Sequence, residues 1–123
     1  MAMTHRAIAF VATCEPDRAL AFYRDVLGFE LVEDTPFATV FDAFGTMLRV
    51  QKAERVRPAP YTVFGLQVET IKDEVERLCA AGVEAVRYPH FAQDALGIWT
   101  APDGAQVFWF HDPDGNLLSL SQF

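Results

Sequence analysis

FDAFGTMLRV (41–50) and HDPDGNLLSL (111–120) carry most of what the chain says about its fold. Set over one another at a constant offset of 70, they pair Asp42 with Asp112, Gly45 with Gly115, Leu48 with Leu118 and Val50 with Leu120. Each reads as a turn built from Asp and Gly followed by a strand whose alternate residues are apolar. Asp and Gly are common turn residues, so the turns alone would prove little. The segments on either side decide whether the match is a true repeat.

Before the first stretch, AIAFVAT (7–13) is apolar on both faces and fits a strand covered on both sides. Glu15, Pro16 and Asp17 then supply a turn and an acidic helix start. Ala19, Leu20, Phe22, Tyr23, Val26 and Leu27 recur at helical spacing up to Gly28, which predicts a helix from about Pro16 to Leu27. FELVED, FATVFD and TMLRVQ follow as three short strands within residues 29–51, broken at Thr35-Pro36 and at Ala43-Phe44-Gly45. After a charged, proline-bearing linker, KAERVRPAP (52–60), the order restarts. YTVFGLQVE (61–69) reads as a strand, IKDEVERLCAAG (71–82) as an amphipathic helix and VEAVRY (83–88) as a strand. Three further strands then surround turns at Pro102-Asp103-Gly104 and Pro113-Asp114-Gly115. The expected architecture is α+β: two βαβββ modules, about 6–51 and 61–123, forming a curved mixed sheet around a cavity with the helices outside. A half of this size cannot bury its core alone, so the modules are expected to make one domain across residues 1–123.

Composition narrows the function. A formal net charge of -7 with scattered Lys and Arg argues against nucleic acid, whose phosphates require clustered cations. Cys14 and Cys79 lie far apart without metal or disulfide spacing, which fits a reducing, cytoplasmic setting. The apolar run from Ala7 to Ala12 is too short for an export signal or a bilayer span, so no membrane association is expected. Aromatic residues make up 13% of the chain, including 11 Phe, which suggests either a dense core or an aromatic-lined cavity.

DRALAFYRDVLGFEL (17–31) and HDPDGNLLSL (111–120), set in the duplicated βαβββ order, resemble the vicinal oxygen chelate superfamily. That superfamily includes glyoxalase I, extradiol dioxygenases, methylmalonyl-CoA epimerase and bleomycin-resistance proteins. The resemblance implies a small-molecule ligand and a homodimer, with modules paired within a chain or exchanged between two. In metal-using members, two His and two acidic residues surround a divalent ion. The matching places here are Ile8, ten residues before Arg18; Val63; and Arg49 and Ser119, each four residues after a turn glycine. Ile and Val carry no donor, Arg repels a cation and a lone Ser hydroxyl is a poor ligand, so no metal and no cofactor are expected. His5, His90 and His111 do not share ligand spacing.

Strand alternation indicates what faces the cavity instead. If Leu48, Val50, Leu118 and Leu120 pack under the helices, then Met47, Arg49, Gln51 and Ser119 point inward, joined by Ile8, Phe10, Val63, Gly65 and Gln67. This lining suits a small, partly apolar molecule. Arg49 either binds an anionic group of that ligand or pairs with a neighbouring carboxylate and holds the sheet. The run YPHFAQDALGIW (88–99) is either a mobile aromatic flap, presenting Tyr88, His90, Phe91 and Trp99, or a loop pinned by its own rings. Of Trp99 and Trp109, one is expected to line the pocket and the other to pack beneath a helix. Three functions compete: a metal-free binding protein; an enzyme of the same superfamily, of lyase, isomerase or dioxygenase type, using Arg49 as an anchor or a metal site elsewhere; and a scaffolding domain whose cavity is vestigial.

Overall fold

A computed structural model describes residues 4–123. The chain divides between Arg57 and Pro58 into two compact units. In the first, β1 (Ile8–Thr13) leads into α1 (Pro16–Ala21) and a π-helical turn (Phe22–Val26), and these are followed by β2 (Glu30–Asp34), β3 (Ala38–Ala43) and β4 (Thr46–Lys52). In the second, β5 (Phe64–Gln67) and α2 (Ile71–Ala80) precede β6 (Trp99–Thr100), β7 (Gln106–His111) and β8 (Leu117–Gln122). The sheets have the same topology, β1-β4-β3-β2 and β5-β8-β7-β6. In each, the first strand runs parallel to the last and the other neighbours are antiparallel.

The covered face of the first sheet carries Val11, Phe41, Leu48 and Val50, all buried, with Tyr23 from the π turn fully enclosed above them. The rings of Tyr23, Phe29 and Phe41 lie 5.9 to 6.4 Å apart. The second sheet buries Phe108, Phe110, Leu118 and Leu120 with Ile71, Val75 and Leu78 of α2. α2 begins where the Gln122 side chain of the last strand accepts the Ile71 N–H at 2.8 Å. It ends at Gly82, whose φ of +93° is the left-handed conformation that glycine adopts without a Cβ penalty.

Four sequence expectations change. The helix from Pro16 has the expected extent but not uniform geometry. Leu27 N–H donates to the Phe22 carbonyl at 3.0 Å, five residues back, a widening that accompanies the seating of Tyr23 in the core. β1 is not covered on both sides, because Ile8 and Phe10 are 45% and 56% exposed. VEAVRY (83–88) forms no strand. Only Val86 N–H reaches β7, at the Trp109 carbonyl (2.8 Å), while Trp99 and Thr100 take the pairing places opposite Val107 and Gln106. The longer second-module loop thus divides one sheet edge between two pieces of chain.

The fourth change concerns the repeat. Phe41 and Leu48 pair as Phe110 and Leu118 do, so the structural counterpart of Asp42 is His111, one residue before the sequence match Asp112. The first hairpin turns on two residues, Phe44 and Gly45, with φ of +54° and +101°, as a two-residue loop with both residues left-handed requires. The second turns on three, and Gly115 takes the left-handed place. Both aspartates nonetheless brace their turns: Asp42 accepts Gly45 N–H at 2.7 Å, and Asp112 accepts Asp114 N–H and Asn116 N–H, each at 2.9 Å.

At the edge of the first sheet, Lys52 Nζ donates to Asp34 Oδ1 at 2.8 Å and to the Thr35 carbonyl at 2.7 Å, and Thr39 Oγ1 donates to Asp34 at 3.0 Å. The Lys52 hydrogen bond, followed by that of Thr39, holds the Asp34 carboxyl below the usual carboxylate range. A carboxyl depressed in the folded state stabilises above its unfolded value near pH 3.9 and loses that contribution as pH falls through its folded value. The melting-temperature gap between wild type and Asp34→Asn should therefore be constant from about pH 5 to 8 and close in stronger acid. Thermal melts across pH 2.5–7 read this directly; a gap that persists to the acid limit would contradict it.

Candidate functional site

The face of the first sheet opposite its helix is open. Register sets Ile8 beside Met47, Phe10 beside Arg49, and Gln51 beside Ala12 and Ala38, with all of them on that face. Two hollows lie there. One of about 490 Å³ is lined by Ile8 and Met47 together with Arg6, Val32 and Asp42. The other, about 240 Å³, is lined by Phe10, Phe37, Arg49, Gln51 and Lys52. Arg49 is half-buried, and among the described residues no carboxylate lies within ion-pair distance of it. Of the two roles open to Arg49, holding the sheet through a carboxylate is therefore the one the structure does not realise. The Lys52 charge, by contrast, is already engaged by Asp34.

The second sheet has the same division. Gly65, Ser119 and Trp109 lie side by side, and Gln67, Ser121 and Val107 form the next row, on the face away from α2. Val63 precedes β5 and donates its N–H to the Leu117 carbonyl at 3.0 Å. Ser119 shares the open face but is only 9% exposed, and its Oγ lies so close against Gly65 that a Cβ there would come within 2.8 Å. Trp99 pairs with Val107 in register, so both tryptophans occupy the open face, 6.0 Å apart. The expectation that one of them packs beneath the helix is corrected. A Trp at position 109 shares a face with Ser119 once the three-residue turn is counted, and a two-residue turn would misplace it.

The loop after residue 87 folds onto this face. Phe91 stacks on Trp109 at 5.3 Å and lies 4.5 Å from Trp99, and Tyr88 meets Trp109 edge-on at 5.2 Å. Gln93 fastens the loop from within: its side chain accepts Tyr88 N–H at 2.8 Å and donates to the Val86 and Gly97 carbonyls, each at 2.9 Å. Arg87 donates to the carbonyls of Asp94 and Ala95 at 2.7 and 2.9 Å. These contacts match the pinned-loop alternative. A hollow of about 370 Å³ remains between Tyr88, His90, Phe91 and Trp109 on one side and Pro60 and Tyr61 on the other. Phe37 and Tyr61, expected within strands, stand before β3 and β5 begin and join the surfaces found here.

Ile8 and Arg49 lie in the first unit, Val63 and Ser119 in the second, and none of the four carries a carboxylate or imidazole. Among the described residues, no three of His, Cys, Asp and Glu come together where they could hold an ion. These places do not fit a divalent metal. Asp112 serves its turn, accepting the Asn116 N–H at 2.9 Å and Asn116 Nδ2–H at 2.8 Å. No helix among the described residues is long and apolar enough to cross a membrane.

Paired βαβββ-type modules with open sheet faces define a class of protein, and comparison with known proteins gives it a family. The chain belongs to the Glyoxalase/Bleomycin resistance protein/Dioxygenase superfamily, whose model matches residues 5–120. A curated relative, "Virulence protein STM3117" of Salmonella typhimurium, is 30% identical over 112 residues, covering 85% of this chain and 74% of that protein. Among solved structures, the fosfomycin resistance protein FosX from Listeria monocytogenes superposes with a TM-score of 0.78 at 15% identity, over 99% of this chain and 95% of that one. A superfamily member from Sphaerobacter thermophilus gives 0.77 at 23% identity, over 98% of each chain. Lactoylglutathione lyase from Agrobacterium tumefaciens gives 0.72 at 19% identity, over 98% of this chain and 95% of that one. At these identities the superpositions establish the fold.

Gly97 sets the return of the loop toward β6. Its φ is +96°, and a Cβ there would lie 2.4 Å from the Ala85 Cβ. Gly97→Ala should cost roughly 2–4 kcal/mol through backbone strain and overpacking. The variant should melt earlier and lose near-ultraviolet circular dichroism from the Trp99–Phe91–Trp109 rings; a wild-type melt would show that the loop is not held as described.

Proposed function

We propose that this protein binds a small, partly apolar molecule on its open sheet faces, without a metal, and that Arg49 holds an anionic group of that molecule. The observation that carries the reading is the setting of Arg49: half-buried, without an ionic partner among the described residues, and flanked by Phe10 and Met47, which are 56% and 41% exposed. A guanidinium so placed gains two charge-assisted hydrogen bonds from a carboxylate, while the apolar neighbours lower the local dielectric and strengthen them. Ile8 and Gln51 complete the proposed contacts on the first sheet, and Val63, Gln67, Tyr88, Trp99 and Ser119 are the proposed contacts in the second unit. The exposed Ile8, Phe10, Met47 and Val63 also support a homodimer as the working form, and the wide separation of Cys14 and Cys79 in the sequence supports a reducing, cytoplasmic setting. The modules are proposed to act as one domain.

Hexanoate and hexanol separate charge recognition from simple burial. Calorimetry should detect hexanoate binding, with hexanol weaker and Arg49→Ala weakening hexanoate at least roughly ten-fold, the worth of a hydrogen bond to a charged group at about 1.5–3 kcal/mol. EDTA should leave the titration and the melting temperature unchanged. Equal binding of hexanoate by Arg49→Ala would defeat the reading, and a melting temperature that rises with added Ni, Zn, Fe or Mn would defeat its metal-free part. Turnover of a substrate, abolished in Arg49→Ala while the protein stays folded, would move the assignment to a superfamily enzyme anchored by the same residue. Light scattering after size exclusion should give the mass of a dimer; a monomer would refute that element.

A further inference from the structure

The second module carries a pocket whose chemistry differs from that around Arg49. Its lining, about 370 Å³ in volume, contains no carboxylate, ammonium or guanidinium and is walled mainly by Tyr61, Tyr88, His90, Phe91 and Trp109. Phe91 and Trp109 lie parallel, 8° apart in plane, and Tyr88 stands nearly perpendicular to both, at 83° and 86°. Parallel offset stacking and the edge-on contact are the two arrangements that aromatic quadrupoles favour, so an incoming ring can repeat either one against rings already fixed in it.

We infer that this pocket is a subsite for an uncharged, planar aromatic ring of one or two fused cycles. The inference rests on the small-molecule reading above and adds the class of group recognised. Three features favour a flat ring over other apolar occupants. The walls present π faces and edges at right angles, a geometry that a puckered or branched aliphatic group cannot match along its whole surface. The volume lies at the low end of ligand sites, which suits a compact group such as a ring of one or two cycles. The rings are also set in advance: Gln93 and Arg87 fix the loop that bears Tyr88, His90 and Phe91, so little side-chain freedom is lost when a ligand enters. Tyr61, 66% exposed, forms the outer wall.

Indole is the probe, with cyclohexanol as a non-planar control and tetramethylammonium as a cationic one. In proton NMR of the intact protein, indole signals should move upfield as the ring enters the shielding of Trp109 and Phe91. Tyr61→Ala, at an exposed position that does not threaten folding, should weaken indole roughly five-fold, and Trp109→Phe should reduce the upfield shift while binding persists. Cyclohexanol binding as tightly as indole, tetramethylammonium binding more tightly, or Tyr61→Ala without effect would each overturn the inference. If indole fails to bind while hexanoate binding still depends on Arg49, this inference alone falls. If neither probe binds, the small-molecule reading falls with it.

Discussion

In each module the first strand lies parallel to the last, Ile8 beside Met47 and Phe64 beside Leu118, and the antiparallel strands are hung from that pairing. A parallel pair cannot close through a tight turn, so the helix and hairpin of each module lie between its two strands. Once formed, it fixes register for the whole sheet, because a slip of one residue would move Leu48 and Val50 out of the core and bring Arg49 into it. The division of each sheet into a covered and an open face follows from this single constraint. Ile8, Phe10, Met47, Arg49, Gln51, Gln67 and Ser119 inherit their direction from it.

The same constraint explains how a change of chemistry leaves the fold intact. Ile8 and Arg49, at places that the resemblance assigns to metal ligands, lie on the open face, where the core does not depend on them. Ile8, Arg49 and Val63 can therefore replace donor residues without disturbing Leu48, Val50, Phe108 or Leu120 beneath. An arginine at such a place reverses the preference of the surface from cation to anion, and its neighbours decide how strongly. Phe10 and Met47 shield it partly from water, and Lys52, the nearest rival cation in that hollow, is already matched by Asp34. The second module departs in another direction, spending its extra loop on an aromatic surface in place of a charged one.

Much of this was legible in the sequence because two-residue periodicity is local information. Leu48, Val50, Leu118 and Leu120 announce the covered face, and Met47, Arg49 and Gln51 fall on the other by alternation alone. The duplicated order of elements was legible for the same reason. What escaped depends on contacts distant in sequence. Whether VEAVRY (83–88) pairs as a strand is settled by Trp99 and Thr100 competing for the same edge of β7. The closeness of Ser119 to Gly65 is a contact between strands, and Tyr61 and Phe37, expected within strands, stand before β5 and β3 begin. The one-residue shift between Asp42 and Asp112 arises from the lengths of two turns that both contain Asp and Gly. Neither turn announces its length.

The central claim is that Arg49 offers an anion site where a metal site would otherwise stand. The most direct measurement is the 15N–1H signal of its guanidinium Nε, assigned by comparison with Arg49→Lys and followed while hexanoate and then Mn(II) are added. The account predicts a saturable shift of that signal with hexanoate, and no selective broadening of Ile8 or Met47 by Mn(II). An Arg49 signal indifferent to hexanoate, together with Mn(II) broadening centred on Ile8 and Met47, would contradict it.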